Sequence, residues 1–459
     1  GPPPITRLLS AAVIVLLALN GIVLSQPVLT IAGVDRSAKD VVVTAASTDR
    51  SAVMDEGLAL APHPPALQAA APPAAPAAEV VVPTAPPAPP GQDAATAPVF
   101  PSRIRGVWVH VLDDVLLSRA SIARMLDQVV AGGGNTVVVE VARRYDAYYA
   151  SSFLPRGNDP AFEPGLDVLA EVTAGARQRG LSVHAWFTAL PAWTPETVDS
   201  PEPPNWTFTQ HGRDAAPADS WLTFDAAGQP SDFLDPGHPA VQDLVVATAA
   251  ELAAYDVDAV HIDYLRYPGV AYGYNPVALG RFQAETGRTD IPTPEDPQFA
   301  DWRRQQTTDI LRRVNDAVEA VNPAVGISAA LIAWGDGPVG GRVFESTPAH
   351  TQVFQPWPQW MAEGLVDVAM PMLYFRESSH ASYHRNWTAY LAGLHQATGV
   401  LTAAGQGSWL NDVEESLAQM AQAAPLLDGE VLFSYQETAA GQGPEALLEA
   451  LGQGLWSNP

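Results

Sequence analysis

From Arg103 onward the chain repeats one unit eight times: a short run rich in β-branched and apolar residues, then a longer segment with apolar residues at helical spacing. The strand-like runs are RIRGVWVHV (103–111), NTVVVEV (135–141), LSVHAWFT (181–188), VDAVHIDYLRYP (257–268), GISAALIAW (326–334), the end of MAEGLVDVAMPMLYF (361–375), VLTAAGQ (400–406) and EVLFSY (430–435). Helical patterns fall at 121–134, 166–180, 241–255, 299–321, the start of 361–375, 380–395, 412–424 and 444–453, several closed by glycine. Strands alternating with helices make a parallel sheet, and eight repeats predict a closed (β/α)8 TIM-type barrel. An open doubly wound sheet would carry a glycine-rich phosphate turn after an early strand, and none is present.

A barrel gives each strand an inner and an outer face. In the fourth strand the apolar Val260 and Ile262 must meet the helices, so Ala259, His261 and Asp263 point inward. Asp263 then lies at the C-terminal end, the rim where active sites of this fold are built. By the same alternation Trp108 and His110, Glu140 and Ala142, and Ser182, His184, Trp186 and Thr188 face inward, and Tyr374 ends the sixth strand. A lone inward histidine or tryptophan is more often a hydrogen-bonded or packed core residue. A carboxylate at the rim, among Tyr264, Arg266 and aromatics, points to function.

The net charge is −26, with 50 acidic against 24 basic residues, which disfavours nucleic acid and anionic lipid headgroups as partners. There is no cysteine, so disulfides, thiolate metal sites and cysteine nucleophiles are excluded. Residues 8–24, LLSAAVIVLLALNGIVL, follow Arg7 and span roughly 25 Å as a helix at ~1.5 Å per residue. No basic residue follows until Arg36 and no clean A-x-A site is evident, so 1–34 is expected to be a single membrane-spanning anchor with its N-terminus inside. Residues 35–98, proline- and alanine-rich from 61, are expected to form an extended linker, leaving 99–459 as a barrel outside the cytoplasm.

The region from Arg103 to about Leu451 resembles the glycosyl-hydrolase-like family ten. These are bacterial envelope proteins with a TIM-type barrel, some of which cleave peptidoglycan glycan strands. RGVWVH, ARRYDAYYASSFLPRG, RGLSVHAWF, FLDPGHPAVQDLV, VDAVHIDYLRYP and EGLVDVAMPMLYFRE occur in the family's order. The matching residues are Arg144, Asp146, Tyr149, His184, Trp186, Asp235, Pro236, His261, Asp263, Tyr264, Arg266, Tyr267, Pro268 and Tyr374. The chain departs from the pattern at Glu140, where the family usually has glutamine, at Ala142, where it has arginine, and at Thr188, often asparagine. If the missing arginine binds substrate, Arg143 would have to replace it from the neighbouring position.

The resemblance implies a glycoside hydrolase acting on O-glycosyl bonds of a peptidoglycan-like glycan, with no cofactor. Such chemistry uses two carboxyl groups. Asp263 is the first choice, as nucleophile or transition-state stabiliser, with Glu377 in YFRESS or Asp336 in WGDGPVGG as proton donor. Arg144, Asp146, His184, Trp186, His261, Tyr264, Arg266, Tyr374 and Glu140 are expected to bind substrate. Trp193, Trp206, Trp221, Trp334, Trp357 and Trp360 fall in predicted loops or strand ends, where about half would stack on sugar and half would pack the core. Two other readings stand beside this one. The barrel could be a non-catalytic glycan-binding or structural subunit of a membrane complex, favoured if both loop acids lie away from Asp263. Alternatively His184, His261 and Asp263 could hold the metal of a deacetylase or amidase, although no HExxH occurs.

Overall fold

A computed structural model describes residues 97–111, 114–192, 206–212, 214–436 and 444–457. The predicted anchor, nearly all of the linker and Trp193 lie outside them. Among the described residues no helix is long and apolar enough to cross a membrane.

Eight strands close into a parallel barrel: β1 (Ile104–Val109), β2 (Thr136–Ala142), β3 (Ser182–Thr188), then, after the hairpin β4 (Leu222–Phe224) and β5 (Pro230–Leu234), β6 (Ala259–Asp263), β7 (Gly326–Ile332), β8 (Val368–Leu373), β9 (Leu401–Gly407) and β10 (Gly429–Phe433). The strands run round in chain order, with β10 returning to β1 and the antiparallel hairpin set outside the ring. The outer helices are α1 (Arg119–Ala131), α2 (Val168–Arg177), α3 (Pro239–Ala253), α4 (Pro297–Val321), α5 (Trp357–Ala362), α6 (Glu377–Thr398), α7 (Val413–Ala423) and α8 (Pro444–Gln453).

Local sequence explains where these helices begin. Asp167, Asp296 and Asp412 each accept a hydrogen bond from a first-turn N–H, and Pro239 and Pro297 supply a pre-set φ at the first helical position. Asp412 and Glu415 complete a capping box.

The outward residues of the strands, such as Val137, Val139, Val183, Val260 and Ile262, are buried against these helices. The inward ones form a separate cluster that includes Ile104, Trp108, Val138, Trp186, Val368, Met370, Val431 and Phe433. Glycines make room for its large rings. A Cβ on Gly326 would lie 2.6 Å from Phe100 Cζ, which closes the N-terminal end, and one on Gly405 would lie 3.1 Å from the Trp108 ring.

Candidate active site

The interior is ordered in layers, and its lower polar layer is a hydrogen-bonded chain. Trp108 Nε1–H donates to His261 Nε2 at 3.1 Å, and Ser328 Oγ lies 2.9 Å from Nδ1 of both His261 and His184. The indole can only donate, so His261 carries its proton on Nδ1 and gives it to Ser328. The serine hydrogen then falls to His184 Nδ1, and Nε2–H of His184 is left beside the edge-on Phe100 ring, 5.7 Å away. Burial lowers the His184 imidazole to about 4 and holds His261 well below its ordinary value. Both histidines are therefore neutral core groups. With both nitrogens of His261 engaged, the expected His184–His261–Asp263 metal set would require dismantling this chain. Among the described residues no group of three His, Asp or Glu side chains is placed to hold a metal ion.

Two residues further along β6 the environment changes. Asp263 is 6 % exposed, and its Oδ1 accepts the Tyr264 N–H at 2.7 Å. Tyr264 itself stands at φ 55°, a left-handed conformation that costs a non-glycine residue roughly 1 kcal/mol and turns the chain at the strand end. Burial pushes the Asp263 carboxyl up to about 7. The Tyr264 N–H, Arg266 and Arg143 pull it down, while Glu140 pushes it further up. Arg266 is buried, donates to the Tyr267 carbonyl at 3.2 Å and lies over Tyr264 (4.8 Å), Trp334 (5.4 Å) and Phe233 (5.7 Å). It is a cation held in an aromatic box beside Asp263.

Glu140 lies on the same interior face. It pairs in register with Trp186, which pairs with His261. It is fully buried, accepting the Val111 N–H at 3.0 Å and meeting Arg143 Nη1 at 3.5 Å through Oε2, while Oε1 has no protein partner. Burial raises its pKa against the pull of Arg143 and the Val111 N–H. Aromatic side chains from the other strand ends bound this carboxyl pair. Phe433 lies 6.4 Å from Trp186, 6.0 Å from Trp108 and 5.5 Å from Tyr374, and Tyr374 lies 4.9 Å from Trp409. The Nε1–H groups of Trp186 and Trp409 are buried without a protein acceptor. The barrel mouth thus combines two buried carboxyls, two guanidiniums, unmet indole donors and flat apolar rings.

The two expected proton donors each have a side-chain partner of their own. Glu377 begins α6, its carboxylate accepting from Gln419 Nε2 at 2.9 Å and its N–H donating to Asn411. Asp336 forms an exposed pair with Arg342. Arg144 and Asp146 form a buried pair at 3.2 Å, with the guanidinium 4.6 Å over Trp206, whose indole donates to the Arg144 carbonyl. Tyr149 is bound to Glu251 on α3 at 2.9 Å. Asp235 accepts from Gly237 N–H at 2.8 Å and Asn275 N–H at 3.4 Å, and so ties the hairpin to the loop after β6. Each of these matching residues is engaged in contacts within or between loops, and the charge of Asp146 also reaches Glu140.

The tryptophans expected near the mouth divide between full burial and partial exposure. Trp357 and Trp360 lie in α5, fully buried, with their indoles bonded to the Ile332 carbonyl and to Thr308, and Trp206 is likewise buried. Trp221 and Trp334 are partly buried, and Trp221 stacks on His211 at 3.9 Å. Trp409 and Phe433 were not singled out in the sequence. Their signal was available, because each sits at or just past the end of a predicted strand.

The molecule is similar in sequence and in fold to known proteins. It is 24 % identical to "Glycosyl hydrolase YngK" of Bacillus subtilis over 361 residues, 73 % of this chain and 66 % of that protein. It is 27 % identical to "Glycosyl hydrolase DigH" of Escherichia coli K12 over 280 residues, 56 % of this chain and 58 % of that one. The chain thus matches just under two thirds or less of the length of these relatives. In fold it is similar to the PgaB (BpsB) glycoside hydrolase domain from Bordetella bronchiseptica (TM-score 0.52, 15 % identity, 72 % of this chain and 94 % of that domain). It is also similar to the catalytic domain of a Paenibacillus polymyxa β-amylase (TM-score 0.53, 11 % identity, 75 % and 97 %). A model of the family described as "Glycosyl hydrolase-like 10" matches residues 103–393, most of the barrel, and to that family the chain belongs.

Proposed function

We propose that this protein hydrolyses O-glycosyl bonds in a cell-envelope glycan of the peptidoglycan kind, held outside the cytoplasm by its N-terminal apolar segment. The observation that carries the reading is Asp263, a buried carboxyl at the C-terminal rim, pushed up to about 7, beside a second buried carboxyl and within a ring of aromatics. Glycoside hydrolysis needs one carboxyl to protonate the leaving oxygen and one to attack or to activate water. Burial raises both carboxyls above their ordinary range, and the charge of Glu140 further opposes ionisation of Asp263, which favours one protonated and one ionised carboxyl. That supplies an acid and a base in one mouth. As the second carboxyl we take Glu140, which shares the interior face with Asp263, in preference to Glu377 or Asp336. Tyr374, Trp186 and Trp409 offer faces and indole N–H groups to a pyranose, and Arg266 steadies Asp263 when it is ionised.

The engagement of Glu377 by Gln419 and of Asp336 by Arg342 lends some support to a non-catalytic reading, in which the mouth binds glycan without cleaving it. The readings separate on purified peptidoglycan glycan strands, with and without stem peptides, assayed for new reducing ends. We expect cleavage by the wild type, lost in Asp263→Asn and in Glu140→Gln. Cleavage that survives Glu140→Gln would return the second role to a loop acid. Binding without cleavage by the wild type would make the barrel a glycan-binding subunit.

A further inference from the structure

Arg143 is the residue whose direction the strand alternation gets wrong. Along β2 the inward positions are Val138 and Glu140, so unbroken alternation would send Ala142 inward and Arg143 out toward the helices. Instead Glu140 pairs with Trp186 and Ala142 with Phe187, leaving Val141 as an extra residue. A bulge of this kind re-aims the side chains beyond it. Ala142 consequently joins the outer core, 2 % exposed, with Phe187 and Val139. Arg143 turns to the mouth, where its Nη1 meets Glu140 at 3.5 Å and its side chain is 15 % exposed. Its backbone is fixed there as well, since its carbonyl accepts from the Thr188 hydroxyl and Thr188 pairs in register with Asp263.

We infer that Arg143 is a substrate-positioning residue of the Asp263 site, turned into the barrel mouth by the bulge at Val141 and held there by Glu140 to grip an oxygen-bearing substituent of the glycan. The inference rests on Asp263 marking the reacting end, as proposed above. Arg143 differs from its neighbour in the way such a role requires. Arg144 is 3 % exposed and its guanidinium is taken up by Asp146 and Trp206. Arg143 is the more exposed of the two, its side chain 15 % exposed at the mouth, where a carbonyl or carboxylate of a substrate can meet it. Its charge also reaches the reacting carboxyl: Asp263 is faced by Arg143 and Glu140 from β2, Tyr264 and Arg266 from its own loop, and Tyr374 from the end of β8.

The test uses the full chain and peptidoglycan glycan oligosaccharides as the probe. In the active protein, Arg143→Met is expected to raise KM about tenfold or more with kcat within about threefold. It should also move the acid limb of kcat/KM to higher pH, because a cation favouring the ionised Asp263 is gone. Arg143→Lys should recover the acid limb and only part of KM, since an ammonium keeps the charge without the planar fork. In an Asp263→Asn background, where turnover is absent, Arg143→Met should weaken oligosaccharide binding about tenfold by calorimetry. Unchanged KM and pH profile, or equal binding in that background, would overturn the assignment while leaving the hydrolase reading intact. If the wild type cleaves nothing, the binding comparison alone decides it. If no variant binds the probe, both readings fall.

Discussion

His261 and Asp263 sit two residues apart on one strand, face the same interior and are both buried, yet their surroundings differ in kind. At His261 both ring nitrogens have partners, Trp108 on one side and Ser328 on the other, and the imidazole stays neutral. At Asp263 the carboxyl has a single backbone donor, two guanidiniums nearby and another buried acid opposing ionisation. Burying a polar group costs free energy unless its hydrogen bonds are met. The lower layer has met nearly all of them and serves the fold. The upper layer has kept valences unmet, and its stability cost is the condition for its chemistry.

The largest expected break in this contrast is Asp263→Asn, which should lower hydrolysis by roughly 10³-fold or more, the usual cost of removing a reacting group. The same substitution should stabilise the protein at high pH. The Asp263 carboxyl is raised in the folded state, so its favourable contribution is full below the unfolded value near 4 and is lost as pH rises through about 7. Chemical denaturation should therefore show Asp263→Asn more stable than wild type by on the order of 2 kcal/mol at pH 8, with the gain gone at pH 4. A stability gain that does not depend on pH would show that ionisation of Asp263 is not its source.

Arg144→Ala sharpens the comparison from the structural side. It removes one partner of a buried pair, and a loss of about 3 kcal/mol is expected in urea denaturation, with the acid limb of activity in place. Ser328→Ala leaves two imidazole nitrogens unmet and should cost roughly 2 kcal/mol, while kcat/KM of the folded protein changes by less than about threefold. A large loss of activity with little loss of stability would move the histidine layer into the catalytic machinery. The smallest effect concerns acid. The imidazoles of His184 and His261 are lowered in the folded state, so the stability they hold above pH 6.5 is lost as pH falls toward about 4. Melting temperature should decline over that interval in the wild type and less steeply in His184→Gln.

The periodic sequence carried most of the architecture. All eight predicted barrel strands occur close to their expected limits, and Asp263 stands at the rim where alternation put it. Less legible was the region between β3 and β6, where a long polar excursion conceals the hairpin held by Asp235 and Asn275. Its strands are short and β5 is mostly only partly buried, so their apolar period is weak. Trp357 and Trp360 were misplaced for a related reason: Pro356 and Pro358 mark a turn in a propensity reading, while packing against α4 builds a helix there.

By itself the sequence determined the closed barrel, the inward face of each regular strand and the carboxyl at the end of β6, because these follow from local periods of two and 3.6 residues. Only the tertiary structure decided what each inward group does. Ser328 meets His261 and His184 across 67 and 144 residues of chain, Glu140 reaches the neighbourhood of Asp263 from two strands away, and one extra residue at Val141 turns Arg143 inward. Partners, burial and the electric field at a carboxyl are sums over groups distant in sequence. No local pattern records them.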